Sequence, residues 1–457
     1  MKKIKALLLF VIPVFLYAQE GTKGVHFEQN LNWKQILAKA KTENKYIFVD
    51  CFATWCRPCK AMDQNIYPLQ SVGDQMNDKF ISVKVQMDVT KEDNEQVKSW
   101  YSDARNLMTQ YSVKVFPSFL FFSPDGKMVH KGVDYEPKET FVDLLHNALN
   151  PEKQNYTLLE KYKQGKIDYA AMPYLVHEFY SLLEDSLANQ IACDYIHNYL
   201  EKLSEKDLVK KENFNFAFGH VDCINSRDKI FDLCFHQPDK VDSIVNFALA
   251  FSSMGGLGNG RNLAPHYITG GLVNDVISKE EITPVLAIAK SGNSDPDWNK
   301  AFKSIKRKYG EKYARFNVTV AKMKWYQAKK DWKNYTKYLV PFIEERKPET
   351  MRAGLGWDIY LNNSAFDVFM YSDNKKELRK ALSWVDLALV MRDKPYADAL
   401  DTKANILYKL GRKADGIALE EQAVKLKPKD KAIQKNWEMM KKNEPTWFIA
   451  ETSPDHK

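Results

Sequence analysis

Two cysteines separated by two residues are the side chains of this sequence with the clearest chemistry. They lie in the segment Trp55–Lys60, which follows the apolar run Tyr46–Phe52 and is predicted to begin a helix. Cysteines at this spacing can close a small ring, so the pair can alternate between a dithiol and a disulfide. The free N–H groups and the dipole at a helix N-terminus favour the thiolate of Cys56 over its thiol. That thiolate can attack a disulfide of another protein, and Cys59 can then resolve the mixed disulfide.

Alternating strands and helices are predicted around this pair. Apolar residues recur at i, i+3, i+4 and i+7 from Trp33 to Ala40, which predicts an amphipathic helix over residues 32–42, and they recur in the same way from Phe141 to Ala148. Between these helices lie three short apolar runs of strand length, rich in valine, isoleucine and phenylalanine. Strands and helices that alternate on this scale predict a mixed sheet with helices on both faces.

Residues 31–150 resemble the thioredoxin family. The stretch Phe48–Lys60 is similar to the family's active-site strand and turn, and Val115–Phe119 is similar to its cis-proline segment, which faces the active site. The resemblance implies an α/β thioredoxin fold, in which a mixed central sheet is flanked by helices. It also implies the elements that close the domain, which are strands over Leu120–Phe122 and Lys127–Val133, the turn Pro124–Gly126 between them, and a final helix over Pro137–Asn150.

The resemblance also implies a role for each candidate residue. Cys56 is the attacking nucleophile, Cys59 is the resolving thiol, and Asp50 accepts or relays the proton of Cys59. Lys84, in a strand predicted over Phe80–Met87, is expected to tune Asp50. Pro117 is expected to follow a cis peptide bond and to hold the backbone of the substrate. The predicted substrate-binding residues are Trp55, Arg57, Pro58, Phe116 and Pro117.

Two features depart from the commonest thioredoxin pattern. Arg57 and Pro58 stand where glycine and proline are usual, and a cation beside Cys56 should favour its thiolate further. The segment Val89–Asp103 is longer and more polar than the corresponding connection in small thioredoxins. Together with Cys59–Met62, these features are similar to the thioredoxin-like domains of secreted bacterial reductant proteins, including the periplasmic end of the DsbD electron transporter.

The first 18 residues have the pattern of a secretory signal. Lys2, Lys3 and Lys5 form a basic start, Ala6–Leu16 forms an apolar core, and Leu16–Ala18 offers a cleavage site. A membrane anchor is the alternative, but an anchor needs about 18 or more apolar residues, and this core has eleven. We therefore expect an exported protein, which would be periplasmic if the host is Gram-negative.

Composition and charge narrow the class of partner. The chain of 457 residues is 44% hydrophobic and 13% aromatic, which is ample for packed cores, and it exceeds one typical domain in length. Its formal net charge of +8 would fall to +5 without the three lysines of the predicted signal. This mild charge indicates neither nucleic acid nor a membrane surface as a partner, since such partners call for a clustered basic footprint.

Four further cysteines lie outside the reactive pair. Cys51 follows Asp50 on a strand, so its side chain should point to the opposite face of the sheet and be a buried, inert thiol. Cys193, Cys223 and Cys234 lie near histidines in the C-terminal region. Their spacings match no common closed zinc set, so we favour buried free thiols or one structural disulfide over a zinc site.

Beyond Asn150 the strand signals largely vanish, and an all-helical region is predicted. Residues 397–430 resemble a tetratricopeptide repeat, a helical hairpin of 34 residues. Gly411 falls in the turn of this hairpin and Pro428 ends its second helix. Looser copies of the repeat are predicted at Asn362–Arg392 and Phe316–Glu345.

These patterns predict a signal peptide at residues 1–18, a thioredoxin-like domain at 19–150, a helical domain at 151–350 and tetratricopeptide-like repeats at 351–445. One irregular insert, Ser252–Gly260, interrupts the helical domain. Its three glycines lack the spacing and the flanking elements of a phosphate-binding loop, so a plain loop is predicted there.

The sequence therefore predicts an exported thiol–disulfide oxidoreductase, and the resemblance of Asp50 and Lys84 to thioredoxin favours a reductant of protein disulfides. No metal or organic cofactor is required, because the two cysteines store the electrons. The expected partners are disulfide-containing proteins, a membrane-bound or soluble redox partner, and a peptide or protein ligand of the helical repeats. An oxidase or isomerase stays open because the direction depends on the reduction potential, and so does an interaction scaffold with a thioredoxin-like docking module.

Overall fold

The structure is a computed structural model that describes residues 24–244, 267–345, 357–392, 394 and 396–447. The predicted signal at Met1–Ala18 and the predicted loop at Ser252–Gly260 lie outside these residues. Within them, no helix is both long enough and apolar enough to cross a membrane. The chain divides into two compact units, of which the first ends at Ala192 and the second begins at Cys193.

A mixed sheet forms the centre of the first unit. Its strands are β1 (Tyr46–Phe52), β2 (Phe80–Gln86), β3 (Ser118–Phe122) and β4 (Met128–Val133). They lie in the order β2-β1-β3-β4, with β1 parallel to β2 and antiparallel to β3, and with β3 antiparallel to β4. The predicted mixed sheet is confirmed, and so is the predicted hairpin of β3 and β4.

The central strand β1 is buried on both faces of the sheet. Ile47, Val49 and Cys51 pack into one apolar cluster, whereas Phe48 packs into a second cluster on the opposite face. This alternation follows from the period of two along a strand, and a strand covered on both faces needs the near-continuous apolar run seen here. Cys51 is a buried free thiol, and burial raises the pKa of this thiol well above its ordinary value.

Helices cover both faces of this sheet. The first five are α1 (Trp33–Glu43), α2 (Arg57–Asn65), α3 (Gln70–Met76), α4 (Glu95–Gln110) and α5 (Lys138–Leu149). Helices α1 and α4 pack on the face of Cys51, and α2, α3 and α5 pack on the face of Phe48. Asn32 begins α1 with a capping box, in which its side chain accepts the backbone N–H of Gln35 and the Gln35 side chain accepts the backbone N–H of Asn32.

Helix α6 (Asn155–Lys163) covers the strand β4 through one buried asparagine. The side chain of Asn155 accepts the backbone N–H of Lys131 at 3.0 Å and donates to the carbonyl of Lys131 at 2.9 Å. The backbone N–H of Asn155 donates to Nδ1 of His130 at 3.1 Å. The side chain thus satisfies the outward-facing backbone groups of an edge strand, a role that a further strand would otherwise fill.

The remaining described elements are helical. Those after α6 are α7 (Met172–Ser181), α8 (Asp185–Asn198), α9 (Glu205–Leu208), α10 (Lys211–Gly219), α11 (Lys229–His236), α12 (Pro238–Ile244), α13 (Tyr267–Ile277), α14 (Thr283–Ser291), α15 (Trp298–Tyr309), α16 (Glu311–Ala328), α17 (Trp332–Glu344), α18 (Trp357–Tyr371), α19 (Lys375–Val390), α20 (Ala397–Lys409), α21 (Lys413–Leu426) and α22 (Lys431–Lys441). Short 3₁₀ turns at Tyr169–Ala171, Leu200–Lys202 and Val221–Cys223 and a π turn at Ser278–Ile282 lie between them.

The sequence left the state of the three cysteines of the second unit open between free thiols and one disulfide, and the structure contains one disulfide and one free thiol among them. Cys193 and Cys223 are joined by a disulfide with their Cα atoms 4.9 Å apart. Cys234 is a buried free thiol, and burial raises its pKa. In the part of the chain that the structure describes, no three potential metal ligands from His, Cys, Asp and Glu are grouped together.

Each of the three predicted repeat segments contains a pair of consecutive helices. The pair α20 and α21 crosses closely, because a Cβ atom at Gly416 would lie 2.8 Å from the carbonyl oxygen of Ala404. Gly411, in the turn between the two helices, has a φ of 94°, which favours glycine. The helical hairpin is therefore present, whereas its assignment to the tetratricopeptide family stays a prediction.

Candidate active site

The reactive cysteine is placed by the first turn of α2. Cys56 is the N-cap residue of this helix, and its sulphur accepts a hydrogen bond of 3.0 Å from the backbone N–H of Cys59. Arg57 and Pro58 are the first two residues of the helix, where a proline costs no hydrogen bond. The first turn has no acidic residue. The helix N-terminus therefore points the N–H of Cys59 at the sulphur of Cys56, which stabilises a thiolate there.

The two predicted cysteines form one disulfide in this structure. Their Cα atoms are 5.4 Å apart, and each residue is only 2% exposed. They pack together with Ala53, Phe52 and Phe116. The pair can thus hold two electrons as a dithiol and release them on forming this bond.

An aromatic surface borders the pair. The side chain of Trp55 is 70% exposed, and its ring meets the ring of Phe116 edge to face with 5.8 Å between the ring centroids. The peptide bond between Phe116 and Pro117 is cis, as predicted. Arg57 is exposed and Pro58 half-buried. Trp55 and Phe116, which come from the two predicted substrate-binding segments, therefore lie in contact.

Asp50 is a fully buried carboxyl group on β1, six residues before Cys56. Neither carboxyl oxygen of Asp50 has a hydrogen-bond partner in the described structure. Burial raises the pKa of Asp50 from 3.8 to about 6, against an opposing effect of the Lys84 ammonium. The pKa of the nearby Tyr67 phenol is also raised, first by burial and then by the charge of Asp50. This carboxyl group can therefore exchange a proton close to neutral pH.

Lys84 lies beside Asp50, but its hydrogen bond goes elsewhere. The two residues are register partners in the parallel ladder of β1 and β2, and the Lys84 ammonium is 3.7 Å from Oδ2 of Asp50. The ammonium donates instead to the carboxylate of Asp63 on α2. It also lies 4.9 Å from the ring centroid of Phe52. Asp63 was not among the site residues predicted from the sequence, although its spacing of four from Cys59 places both residues on one side of α2.

Asp88 is a second residue that sequence reasoning missed. Its carboxylate accepts the backbone N–H of Thr54 at 3.0 Å and also accepts the hydroxyl of Thr54. Thr54 lies two residues before Cys56, in the turn that joins β1 to α2. The pairing of the strands could have identified Asp88 from the sequence. Parallel strands end at the same edge of a sheet, so Asp88, which follows β2, lies close to Thr54, which follows β1. Asp88 therefore fixes the turn that presents the cysteine pair.

A hydrogen-bonded loop supports Asp88. Gln86 donates to the carbonyl of Asp88 at 3.1 Å and to the carboxylate of Asp93 at 2.9 Å. Asp93 also accepts bonds from Thr90 and from the hydroxyl of Tyr101 on α4. These hydrogen bonds, led by the one from the Thr90 backbone, lower the pKa of Asp93. The polar segment Val89–Asp103 thus consists of this loop followed by the first half of α4.

The part of the chain that carries this site is similar to known proteins. Residues 20–162 match the family model Thioredox_DsbH, described as a protein of unknown function, DUF255. A thioredoxin of Mycoplasmoides gallisepticum is 29% identical over 117 residues, which are 24% of this chain and 98% of that protein. A thiol:disulfide interchange protein DsbD of Photorhabdus laumondii is 27% identical over 113 residues, which are 24% of this chain and 18% of that protein.

A solved structure titled DsbH oxidoreductase is also similar. It has 19% sequence identity and a TM-score of 0.25, and the match covers 32% of this chain and 94% of that one. The family match lies at residues 20–162, each of the other matches covers no more than 32% of this chain, and this chain spans less than a fifth of the length of the DsbD relative.

Proposed function

Because the N-terminal part of this chain belongs to the thioredoxin-like disulfide oxidoreductases, we propose that the protein reduces disulfides of other exported proteins through Cys56 and Cys59. One observation carries this proposal. The sulphur of Cys56 accepts the N–H of Cys59 at the start of α2, on the same strand-and-turn segment that holds the buried Asp50. A nucleophile, a resolving thiol and a proton acceptor are thus supplied by one short stretch of chain.

The proposed reaction moves two electrons from the dithiol to the substrate. The Cys56 thiolate attacks one sulphur of the substrate disulfide, which forms a mixed disulfide and releases the first substrate sulphur as a thiolate that takes a proton from solvent. Cys59 then loses its proton and attacks the sulphur of Cys56. The second substrate sulphur leaves as a thiolate and is protonated, and the enzyme is left with the Cys56–Cys59 disulfide.

Asp50 is the proposed acceptor of the Cys59 proton. A base works best when its pKa is close to the working pH, and the pKa of Asp50, raised to about 6 by burial, meets that condition. Above pH 6 the carboxyl group is mostly ionised and can accept a proton. Lys84 opposes the effect of burial and limits how far the pKa rises.

Substrate recognition is assigned to the surface around the pair. The exposed ring of Trp55 and the adjoining ring of Phe116 offer apolar contact area, and a polypeptide that carries the target disulfide would lie along Pro117. Arg57 and Pro58 complete this surface. The helices of the second unit are proposed to select partners, since helical repeats present extended binding faces.

The setting is proposed to be outside the cytoplasm. The predicted signal at residues 1–18 supports export, and so does the similarity to a thiol:disulfide interchange protein DsbD. The periplasm follows if the host is Gram-negative. A membrane-bound or soluble redox partner would return the Cys56–Cys59 disulfide to the dithiol after each cycle.

The proposal is tested by disulfide reduction with the full chain. In the presence of dithiothreitol, the wild-type protein should accelerate reduction of a model protein disulfide, and Cys56→Ser should not. Cys51→Ser is the matched control, because that thiol is buried on the other face of the sheet. An equilibrium with glutathione then gives the direction, since a reductant should hold its disulfide at a potential well below that of an oxidase.

A further inference from the structure

The C-terminal segment lies against a surface on two helices that are distant from it in sequence. Helix α22 ends at Lys441, and Asn443, with a φ of 62°, turns the chain back. Trp447 then packs against Phe369 of α18 and Tyr408 of α20, with ring centroids 6.3 and 6.2 Å away. We call the surface formed by Phe369, Asn405, Tyr408 and Lys409 the Trp447 seat.

The seat has a polar group whose contact, among the described residues, comes from the segment. Asn405 is completely buried, and its amide nitrogen donates to the backbone carbonyl and the carboxylate of Asp401 at 2.8 and 2.9 Å. The amide oxygen of Asn405 accepts the hydroxyl of Thr446. Removal of Thr446 would leave a buried acceptor without a donor unless another hydroxyl or water replaced it, which is unfavourable.

The seat also has a cation, the ammonium group of Lys409, close to the rings of Phe369 and Trp447. The side chain of Lys409 is 5% exposed, and its ammonium donates to the carbonyl of Phe369 at 2.8 Å. The ammonium lies 5.3 Å from the ring centroid of Trp447 and 5.7 Å from that of Phe369. A ring in the position of Trp447 therefore gains apolar contact and a cation–π interaction at once.

The segment is held in the seat by side chains alone. The backbone N–H of Glu444 donates to the carbonyl of Met439, and residues 445–447 make no backbone–backbone hydrogen bond among the described residues. A segment bound in this way can be replaced by another chain that presents the same two side chains at the same spacing.

We propose that the Trp447 seat is a peptide-binding surface for an extended partner segment in which a hydroxyl side chain precedes an aromatic one, and that Thr446 and Trp447 of this chain fill it as an internal ligand. The partner must displace the segment to bind. This inference goes beyond the redox function and does not depend on the chemistry of Cys56.

The test uses the full chain and a fluorescently labelled peptide that spans residues 441–449. An internal competitor acts at an effective concentration in the millimolar range, so Trp447→Ala should bind the peptide at least about tenfold more tightly than the wild-type chain does. A peptide in which alanine replaces the tryptophan should not bind. Adding Lys409→Met to Trp447→Ala should remove the gain, whereas adding Lys431→Met, on the exposed side of α22, should keep it.

Equal affinity of the wild-type and Trp447→Ala chains for the peptide would overturn the proposal, and so would an absence of binding to a folded Trp447→Ala chain. If Trp447→Ala does not fold, Thr446→Val tests the same surface, because it removes only the hydroxyl contact with Asn405. This variant should bind the peptide more tightly than the wild-type chain, and an unchanged affinity would contradict the seat. Reductase activity of Cys56 is measured in parallel and should be the same in every variant.

Discussion

The ammonium of Lys84 lies 3.7 Å from the buried carboxyl group of Asp50 without making a hydrogen bond to it. The ammonium donates to Asp63 at the surface instead. Neither oxygen of Asp50 has a donor in hydrogen-bond geometry, although the Tyr67 hydroxyl and the Lys84 ammonium both lie close enough to lower the pKa of Asp50. Burial is the largest cause of the raised pKa of Asp50, and the charge of Lys84 is the largest effect that opposes it. The proton affinity of Asp50 therefore depends on how closely Lys84 approaches.

Replacing Asp50 by asparagine should stabilise the protein at neutral pH. The folded-state pKa is raised from 3.8 to about 6, so the folded state binds more protons than the unfolded state between these values. Stability therefore falls as pH rises from about 4 to 6, by about 3 kcal/mol for a shift of this size. In denaturant titrations, Asp50→Asn should raise the free energy of unfolding by most of these ~3 kcal/mol at about pH 7 and by little at about pH 4. An equal gain at both pH values would mean that the charge of Asp50 is not the cause.

Changing the neighbours of Asp50 should move the pH dependence of catalysis in opposite directions. Disulfide reduction should rise with pH as Asp50 loses its proton. Lys84→Met removes an opposing charge, so the midpoint near pH 6 should move up by about one unit or more. Asp63→Asn frees Lys84 to approach Asp50, so the midpoint should move down. Lys79→Met, an exposed lysine just before β2, is the control and should leave the profile unchanged.

Asp88→Ala should loosen the active-site turn. It removes both hydrogen bonds to Thr54, which should cost about 1–3 kcal/mol of unfolding free energy and lower the rate of disulfide reduction. Asp88→Asn keeps an acceptor for the Thr54 hydroxyl or N–H, so it should lose less unfolding free energy and less activity than Asp88→Ala. The check is a comparison of rates and denaturant midpoints with Val89→Ala, an exposed neighbour. If Asp88→Ala reduced disulfides at the wild-type rate, the active-site turn would keep its conformation without Asp88.

The N-terminal domain should need α6 for its stability. A chain that ends at Asn150 lacks Asn155 and so leaves two backbone groups of Lys131 without their partners, whereas a chain that ends at Ala192 keeps them. We expect the shorter chain to unfold at lower denaturant concentration, and the longer one to retain reductase activity. Asn155→Ala in the full chain reproduces the loss without truncation. Equal midpoints for the two truncated chains would contradict this role of α6.

The elements with strong local patterns could be predicted from the sequence. The apolar run of β1, the helical spacing in α1 and α5, and the cysteine pair at the start of α2 all have periodicities or motifs that a single chain reveals. The contacts of Asp63 and Asp88 could not be read in the same way, because each depends on where a second element lies. Asn155 is similar, since an isolated asparagine before a helix looks like any capping residue until the strand beside it is known.

The most direct test of the central claim is to trap the mixed disulfide. The full chain with Cys59→Ser should accumulate adducts with disulfide-containing proteins, and mass spectrometry should place the link at Cys56. Cys56→Ser should form few or none, because the N–H group at the start of α2 is directed at the sulphur of Cys56 and so favours the thiolate of Cys56. Adducts linked through Cys59 in Cys56→Ser, with none in Cys59→Ser, would contradict the assignment of Cys56 as the nucleophile.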